Sequence, residues 1–271
     1  MGGHTDVLDL ISGLKARGEP FALATVVRTV SLTAAKAGAK AVISADGAIS
    51  GGWIGGGCAR GAVLKAAREA LADGRTRLVS VQPGDLLEEH HVAAGELRDG
   101  ILYAKNSCPS QGTMDVFIEP VLPRPQLFVC GASPVAVAMA DLARRMGFFV
   151  GVCAPAADHA AFGETDRLVD GFAVPEDCVR PFVVIATQGR GDSAALKGAM
   201  KSSARYVAFV GSRKKAAALK LEMSESGISA ERLAELHAPA GLDLGAITPE
   251  EIALSIVAQM VEARRRGQRQ V

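Results

Sequence analysis

Leu127-Phe-Val-Cys130-Gly131-Ala-Ser133-Pro134-Val-Ala-Val-Ala-Met-Ala-Asp-Leu-Ala-Arg-Arg-Met146 is the key to the architecture of this 271-residue chain. Residues 127–130 form a short apolar run, 131–134 a turn signal and 135–146 a helical stretch. A buried strand that passes through a glycine turn into a helix opens a Rossmann βαβ unit. Apolar runs at 148–153, 182–187 and 204–210 supply further strands, with helical stretches between several of them. The C-terminal part therefore reads as alternating β and α built on a parallel sheet. Its last helix opens at Thr248-Pro249-Glu250-Glu251, an N-cap, a proline at the first helical position and a capping-box glutamate.

The same stretch argues against ordinary nicotinamide dinucleotide binding. After Gly131 the fingerprint asks for a second glycine two residues on, where the pyrophosphate meets the backbone, and here that position is Ser133, followed by Pro134. About 20 residues further an acidic residue should receive the ribose hydroxyls, but the second strand ends in Cys153-Ala154-Pro155. A different anion site is suggested by Gly211-Ser212-Arg213-Lys214-Lys215, a glycine, a hydroxyl and three cations leading from a strand into a helix. A solvated basic first turn is the alternative. Thr187-Gln188-Gly189-Arg190-Gly191-Asp192 ends another strand at the same sheet edge.

Toward the N-terminus, Pro120-Val-Leu-Pro123-Arg-Pro125 reads as a stiffened connection. It divides the chain into a domain at 1–119, a linker at 120–126 and the Rossmann-like domain at 127–271. The first domain is mixed α+β. An amphipathic helix covers 5–16, and strands cover 21–29, 39–44, 77–81 and 114–121, with a hairpin turn at Ala45-Asp46-Gly47. Residues 82–111 are a polar stretch holding Glu88-Glu89-His90-His91 and Cys108. The most unusual segment is Gly47-Ala-Ile-Ser-Gly-Gly-Trp53-Ile-Gly55-Gly56-Gly57-Cys58, six glycines closing on one cysteine, with a helix expected at 59–72. A backbone stripped of Cβ atoms suits positive φ or the close approach of another molecule. A thiol at a helix N-terminus is stabilised as thiolate. The alternative is a tight turn beside an inert buried cysteine.

Composition narrows the function classes. Thirty basic and 29 acidic residues leave no broad basic face for nucleic acid. The local basic run from Arg264 to Arg269 reads as a solvated helix end. Aromatic residues make up 4% of the chain, so Ala, Val, Leu and Ile must build the core. No signal peptide and no apolar run of membrane-spanning length is expected. Five scattered cysteines without a Cys-x-x-Cys pair argue for a cytoplasmic thiol protein over a disulfide framework or a zinc site. Cys58 is expected to be the most reactive and Cys108 second, while Cys130 and Cys153 end buried strands and Cys178 has no motif around it.

Gly-Trp-Ile-Gly-Gly-Gly-Cys58, Cys108-Pro-Ser-Gln-Gly-Thr-Met-Asp-Val-Phe-Ile-Glu119-Pro, Gly211-Ser-Arg-Lys-Lys215 and Gly241-Leu-Asp-Leu-Gly-Ala-Ile-Thr-Pro-Glu-Glu-Ile-Ala-Leu-Ser-Ile256 together resemble the XdhC/CoxI/CoxF family, accessory proteins of molybdenum hydroxylases. The resemblance covers nearly the whole chain, and the Gly241 block is its most diagnostic part. It implies a chaperone rather than an enzyme, one that binds the molybdenum cofactor, as molybdopterin or its cytosine dinucleotide, and inserts it into the large subunit of an apo molybdenum hydroxylase. A cysteine desulfurase partner for sulfuration and a homodimer are also implied. Under this reading Gly55, Gly56, Gly57, Cys58 and Cys108 would meet the cofactor, with Cys58 as ligand to the metal. Gly131, Ser133, Thr187, Gln188, Ser212, Arg213 and Lys214 would meet its phosphate-bearing part. The chain departs from the family at Ala59-Arg60, at Cys153 where an acid is expected, and at Gln188 where a histidine is often found. These changes weaken an enzymatic role and point to a subgroup, with carbon monoxide dehydrogenase as the expected target. The rival classes are a nicotinamide-dependent oxidoreductase, a sulfur carrier acting through Cys58 or Cys108, and a copper carrier using those thiols with His90 or His91.

Overall fold

The computed structural model describes residues 6–109 and 111–266; the side chain of Cys58 is also outside the described residues. Thr5, Ser110 and Arg269, which belong to the expected elements and motifs, lie outside them too. The chain divides into two compact units, 1–123 and 124–271.

In the first unit α1 (Val7–Arg17) precedes β1 (Phe21–Val30), β2 (Lys40–Ser44) and β3 (Ile49–Gly52). Then come α2 (Gly57–Asp73), β4 (Arg77–Pro83), α3 (Gly84–Glu89), β5 (Leu97–Arg98), β6 (Ile101–Asn106) and β7 (Thr113–Val121). The strands make one seven-stranded sheet in the order β3-β2-β1-β7-β4-β6-β5. Neighbours are antiparallel except β4 and β6, which run parallel. The alternation of β1 and β7 sends Ala22, Ala24, Val26, Val116 and Ile118 to the face covered by Val63, Ala66, Ala67 and Ala70 of α2. Small side chains on both surfaces let the helix lie close to the sheet. On the opposite face Leu14 of α1 packs with Phe21 and Val42, and Val7, Leu10 and Ile11 of the same helix join them.

Two regions of the first unit hold more strand than their sequence suggests. Residues 49–52, expected as part of a glycine loop, pair with β2, and a Cβ on Gly52 would lie 2.1 Å from Lys40 O. That glycine serves strand packing. The stretch 82–111, read in the sequence only as polar, contains α3, β5 and β6. Of the segment expected as a linker, Pro120 and Val121 belong to β7 and Gln126 to a strand of the second unit, leaving 122–125 between them.

The second unit contains β8 (Gln126–Cys130), α4 (Pro134–Arg145), β9 (Phe149–Ala154), a 3₁₀ turn (Ala156–Ala161), β10 (Arg167–Asp170) and β11 (Phe182–Ile185). It continues through α5 (Asp192–Lys201), β12 (Tyr206–Phe209), α6 (Arg213–Glu225), α7 (Ala230–Ala234), β13 (Leu236–His237) and α8 (Pro249–Arg265). All neighbouring strands are parallel, in the order β10-β9-β8-β11-β12-β13. Numbered within the unit this is 3-2-1-4-5-6, the Rossmann order. Leu127 and Val129 face a core formed with α4 and α8, while Phe128 and Cys130 face the core under α5 and α6. The expected α/β class, with an α+β N-terminal part and a Rossmann-like C-terminal part, is the observed one.

Candidate functional site

Each unit has a recess of its own. In the first, Gly55, Gly56 and Ala59 from the start of α2 meet Asn106, Cys108 and Gly112 from the β6–β7 turn. Thr33, Ala34, Val81 and Met114 complete a cavity of ≈ 70 Å³. The Asn106 side chain braces the turn: Asn106 Oδ1 accepts from Cys108 N at 2.9 Å, and Asn106 Nδ2 donates to Gly112 O at 2.7 Å. Cys108 is thereby fixed at the mouth and is exposed. The α2 N-cap, Gly56, provides no side-chain acceptor for the first turn. Gly56 has extended backbone (φ −115°), and a Cβ there would come no closer than 3.9 Å to any atom. Neither dihedral nor packing requires glycine at this position. Two motifs far apart in sequence thus wall one recess; the backbone of Cys58 is in the first turn of α2.

The second recess, of ≈ 60 Å³, lies where the strands end at the switch between β8 and β11. There ligands of open α/β sheets bind. Gly131, Ala132 and Ser133 follow β8, Pro155 and Asp158 follow β9, and Thr187, Gln188 and Arg190 follow β11, with Phe172 across from them. Gly131 has φ +105°, and a Cβ on it would lie 2.6 Å from Ala186 O. Its missing side chain is therefore required by the neighbouring strand end, whatever binds nearby. Ser133 Oγ caps α4 by accepting from Ala136 N at 3.1 Å, and Pro134 has no N–H to offer. The α4 N-terminus is consequently poor in donors for a pyrophosphate, which explains physically why Ser-Pro damages the fingerprint.

The β11–α5 turn is organised by Asp192, the last residue of the polar stretch at the strand end, which is engaged within the protein. Thr187 Oγ1 donates to Asp192 Oδ1, Gly189 N donates to the same oxygen at 3.1 Å, and Lys215 Nζ pairs with Oδ2. Burial alone would raise this carboxyl; the bonds from Lys215, Thr187 and Gly189 outweigh it and hold the pKa below the ordinary carboxylate value. Thr187 and Lys215 are therefore engaged within the protein. Lys215 also lies over the Phe209 ring, 5.8 Å from its centroid. Ser212 caps α6 through Lys215 N at 3.3 Å, and exposed Arg213 and Lys214 line neither recess.

Of the residues singled out in the sequence, Gly55, Gly56 and Cys108 come together in one recess, and Gly131, Ser133, Thr187 and Gln188 in the other. Gly57 starts α2 without lining either, and Ser212, Arg213 and Lys214 stand on the next turn. Cys130 and Cys153 are register partners on β8 and β9 and are fully buried. The adjacent Cys153 thiol, together with burial, pushes the Cys130 thiol well above its usual value, and burial raises Cys178 to about 11. His90 and His91 line neither recess, and His90 Nδ1 is 3.2 Å from Gln82 Oε1. Among the described residues no three His, Cys, Asp or Glu side chains gather to hold a metal. The diagnostic Gly241 block packs onto the last helix: Gly241 N donates to Gln259 Oε1 at 3.0 Å, and Leu242 N to Ser255 O at 3.2 Å.

A Rossmann-like unit with a switch-point recess, preceded by a mixed sheet that presents a glycine loop and a cysteine turn, defines the class of protein. The chain belongs to the XdhC and CoxI family: residues 14–82 match that family and residues 127–260 match the XdhC Rossmann domain. It is 31% identical over 260 residues to the uncharacterized protein YqeB of Escherichia coli (strain K12), covering 93% of this chain and 45% of that protein. It is also 31% identical over 166 residues to a probable xanthine dehydrogenase subunit of Bacillus subtilis (strain 168), covering 57% of this chain and 47% of that one. The chain thus spans about half the length of these relatives. A crystal structure described as a xanthine dehydrogenase from Bacillus halodurans is 20% identical, covers 96% of both chains and superposes with a TM-score of 0.45. No helix among the described residues is long and apolar enough to cross a membrane.

Proposed function

We propose that this protein is an accessory factor of a molybdenum hydroxylase, one that binds the molybdenum cofactor and delivers it to the hydroxylase's apo large subunit instead of catalysing the hydroxylase reaction itself. The observation that carries the reading is the convergence of the glycine loop and the Cys108 turn on one recess in a member of the XdhC and CoxI family. The donor chemistry suits the group. In the first unit a thiol at the mouth complements soft molybdenum or its sulfur ligands; the second unit, taken by itself, offers Gln188 and Arg190 at its switch point as donors to a phosphate or a nucleotide. The cofactor would supply the metal and its dithiolene; the chain supplies shielding and orientation. Molybdopterin or its cytosine dinucleotide as the bound form, sulfuration with a cysteine desulfurase, carbon monoxide dehydrogenase as target and a homodimeric assembly belong to the same proposal.

Ultrafiltration with released cofactor and NAD side by side tests it. The expected result is retention of about one cofactor per chain and passage of NAD, because Ser133 and Pro134 leave α4 few free donors. Preferential retention of NAD would return the chain to the oxidoreductase class.

A further inference from the structure

We infer that Trp53 is the stacking face for a flat, uncharged conjugated ring seated at the recess of the first unit. The inference rests on the function proposed above, under which that ring is the conjugated pyrimidinone part of the molybdenum cofactor's reduced pterin. Trp53 is the chain's sole tryptophan and follows β3 directly. Its backbone N–H donates to Lys40 O at 2.8 Å, so the residue is anchored at the sheet edge, yet it is 53% exposed. An anchored aromatic side chain left half in water invites a partner for its ring face.

The indole stands beside the recess. The nearest atom to a Cβ built on Gly56 is Trp53 Cη2 at 3.9 Å, and Gly56 lines the cavity. Glycine there keeps the space between the indole and the cavity mouth clear. Among the described residues the lining carries no charged side chain; it is Gly, Ala, Val and Met with Cys108 and two hydrogen-bonding residues, Thr33 and Asn106. That surface suits a neutral heterocycle with a polar edge and gives a phosphate no cation. At ≈ 70 Å³ the cavity falls far below an enclosing ligand pocket, roughly 300–1,000 Å³. A bicyclic ring can enter only in part, and its remaining face must be covered at the rim, where Trp53 supplies the aromatic surface.

Binding of 6-hydroxymethylpterin, which has the ring without dithiolene or phosphate, can be followed by the anisotropy of its own fluorescence. Wild type, Trp53→Ala and Trp53→Phe are compared on the full chain. Trp53→Ala is expected to weaken binding about tenfold or more, and Trp53→Phe only about two- to threefold, as stacking on an aromatic face predicts. Wild-type tryptophan emission should fall on titration. Equal pterin affinity in all three proteins overturns the inference. Equal retention of the complete cofactor by wild type and Trp53→Ala on ultrafiltration overturns it as well, while leaving the proposed function intact. A wild-type protein that retains neither pterin nor cofactor overturns both.

Discussion

At Asp192 a buried carboxylate holds the turn that carries Thr187, Gln188 and Arg190 to the switch-point recess, and its charge is balanced by Lys215. Asp192→Asn keeps an acceptor for Thr187 and Gly189 and loses only the ion pair. Lys215 is 41% exposed, so that loss should cost about 0.5–1 kcal/mol at neutral pH. Asp192→Ala also orphans the two donors and should cost about 1–3 kcal/mol. Because the folded carboxyl titrates below its unfolded value, its contribution is complete above the unfolded pKa, about 3.9. It is lost as pH falls through the lower folded value. The wild-type advantage over Asp192→Asn in urea melts should therefore be present at pH 7 and shrink below about pH 4. An advantage that persists undiminished at the acid end would mean that Asp192 is not the charged partner of Lys215. The sequence places Asp192 in the polar turn at the strand end but does not show its pairing with Lys215, because the partners come from two turns joined only in the folded sheet.

Among the secondary-structure elements, the two glycine-bearing segments next to one another behave differently. Gly52 sits in β3 with φ +80° and its missing Cβ faces Lys40 O, whereas Gly56 caps α2 with open space around it. Gly52→Ala should cost about 1–3 kcal/mol or more through the clash. Gly56→Ala should leave the thermal midpoint within a few degrees of wild type, since a single alanine at a glycine N-cap changes stability by about 1 kcal/mol or less. If the proposed ligand approaches the backbone here, Gly56→Ala should still lose cofactor retention. A Gly56→Ala protein that is stable and retains cofactor as wild type does would remove close approach as the reason for this glycine. The same contrast marks what is legible in the sequence. The strand, turn and helix at 127–146 are plain because apolar period, glycine and proline agree. The strand at 101–106 is hidden because Ile101-Leu-Tyr-Ala104 is flanked by polar residues, and its pairing with β4 is parallel and non-local. The Gly55–Cys58 and Cys108 motifs are each visible, but their meeting depends on β6 and β7 bringing the 106–112 turn to the head of α2. No local pattern encodes that.

Across the chain as a whole, a parallel sheet can be read from alternating elements, but not its order, since β8 is central only through crossovers on both sides of it. The order has an energetic consequence. Leu127, Val129, Phe128 and Cys130 are buried on both faces of the sheet, and both cores draw their residues from 124–271. A unit of that size with two filled layers has the ingredients of independent stability. The diagnostic Gly241 block contributes by fastening the segment before α8: Tyr206 OH donates to Gln259 Oε1 at 2.6 Å, and Gly241 N shares that acceptor. Residues 124–271 expressed alone should therefore unfold cooperatively on heating, with circular dichroism of mixed α and β. Gln259→Leu in the same fragment leaves a buried tyrosine hydroxyl and a backbone N–H without their acceptor, and should destabilise it by about 1–3 kcal/mol. A fragment that melts without a cooperative transition and binds a hydrophobic dye would mean that the cores depend on residues 1–123. A cooperative fragment indifferent to Gln259→Leu would mean that the Gly241 block is held by apolar packing alone.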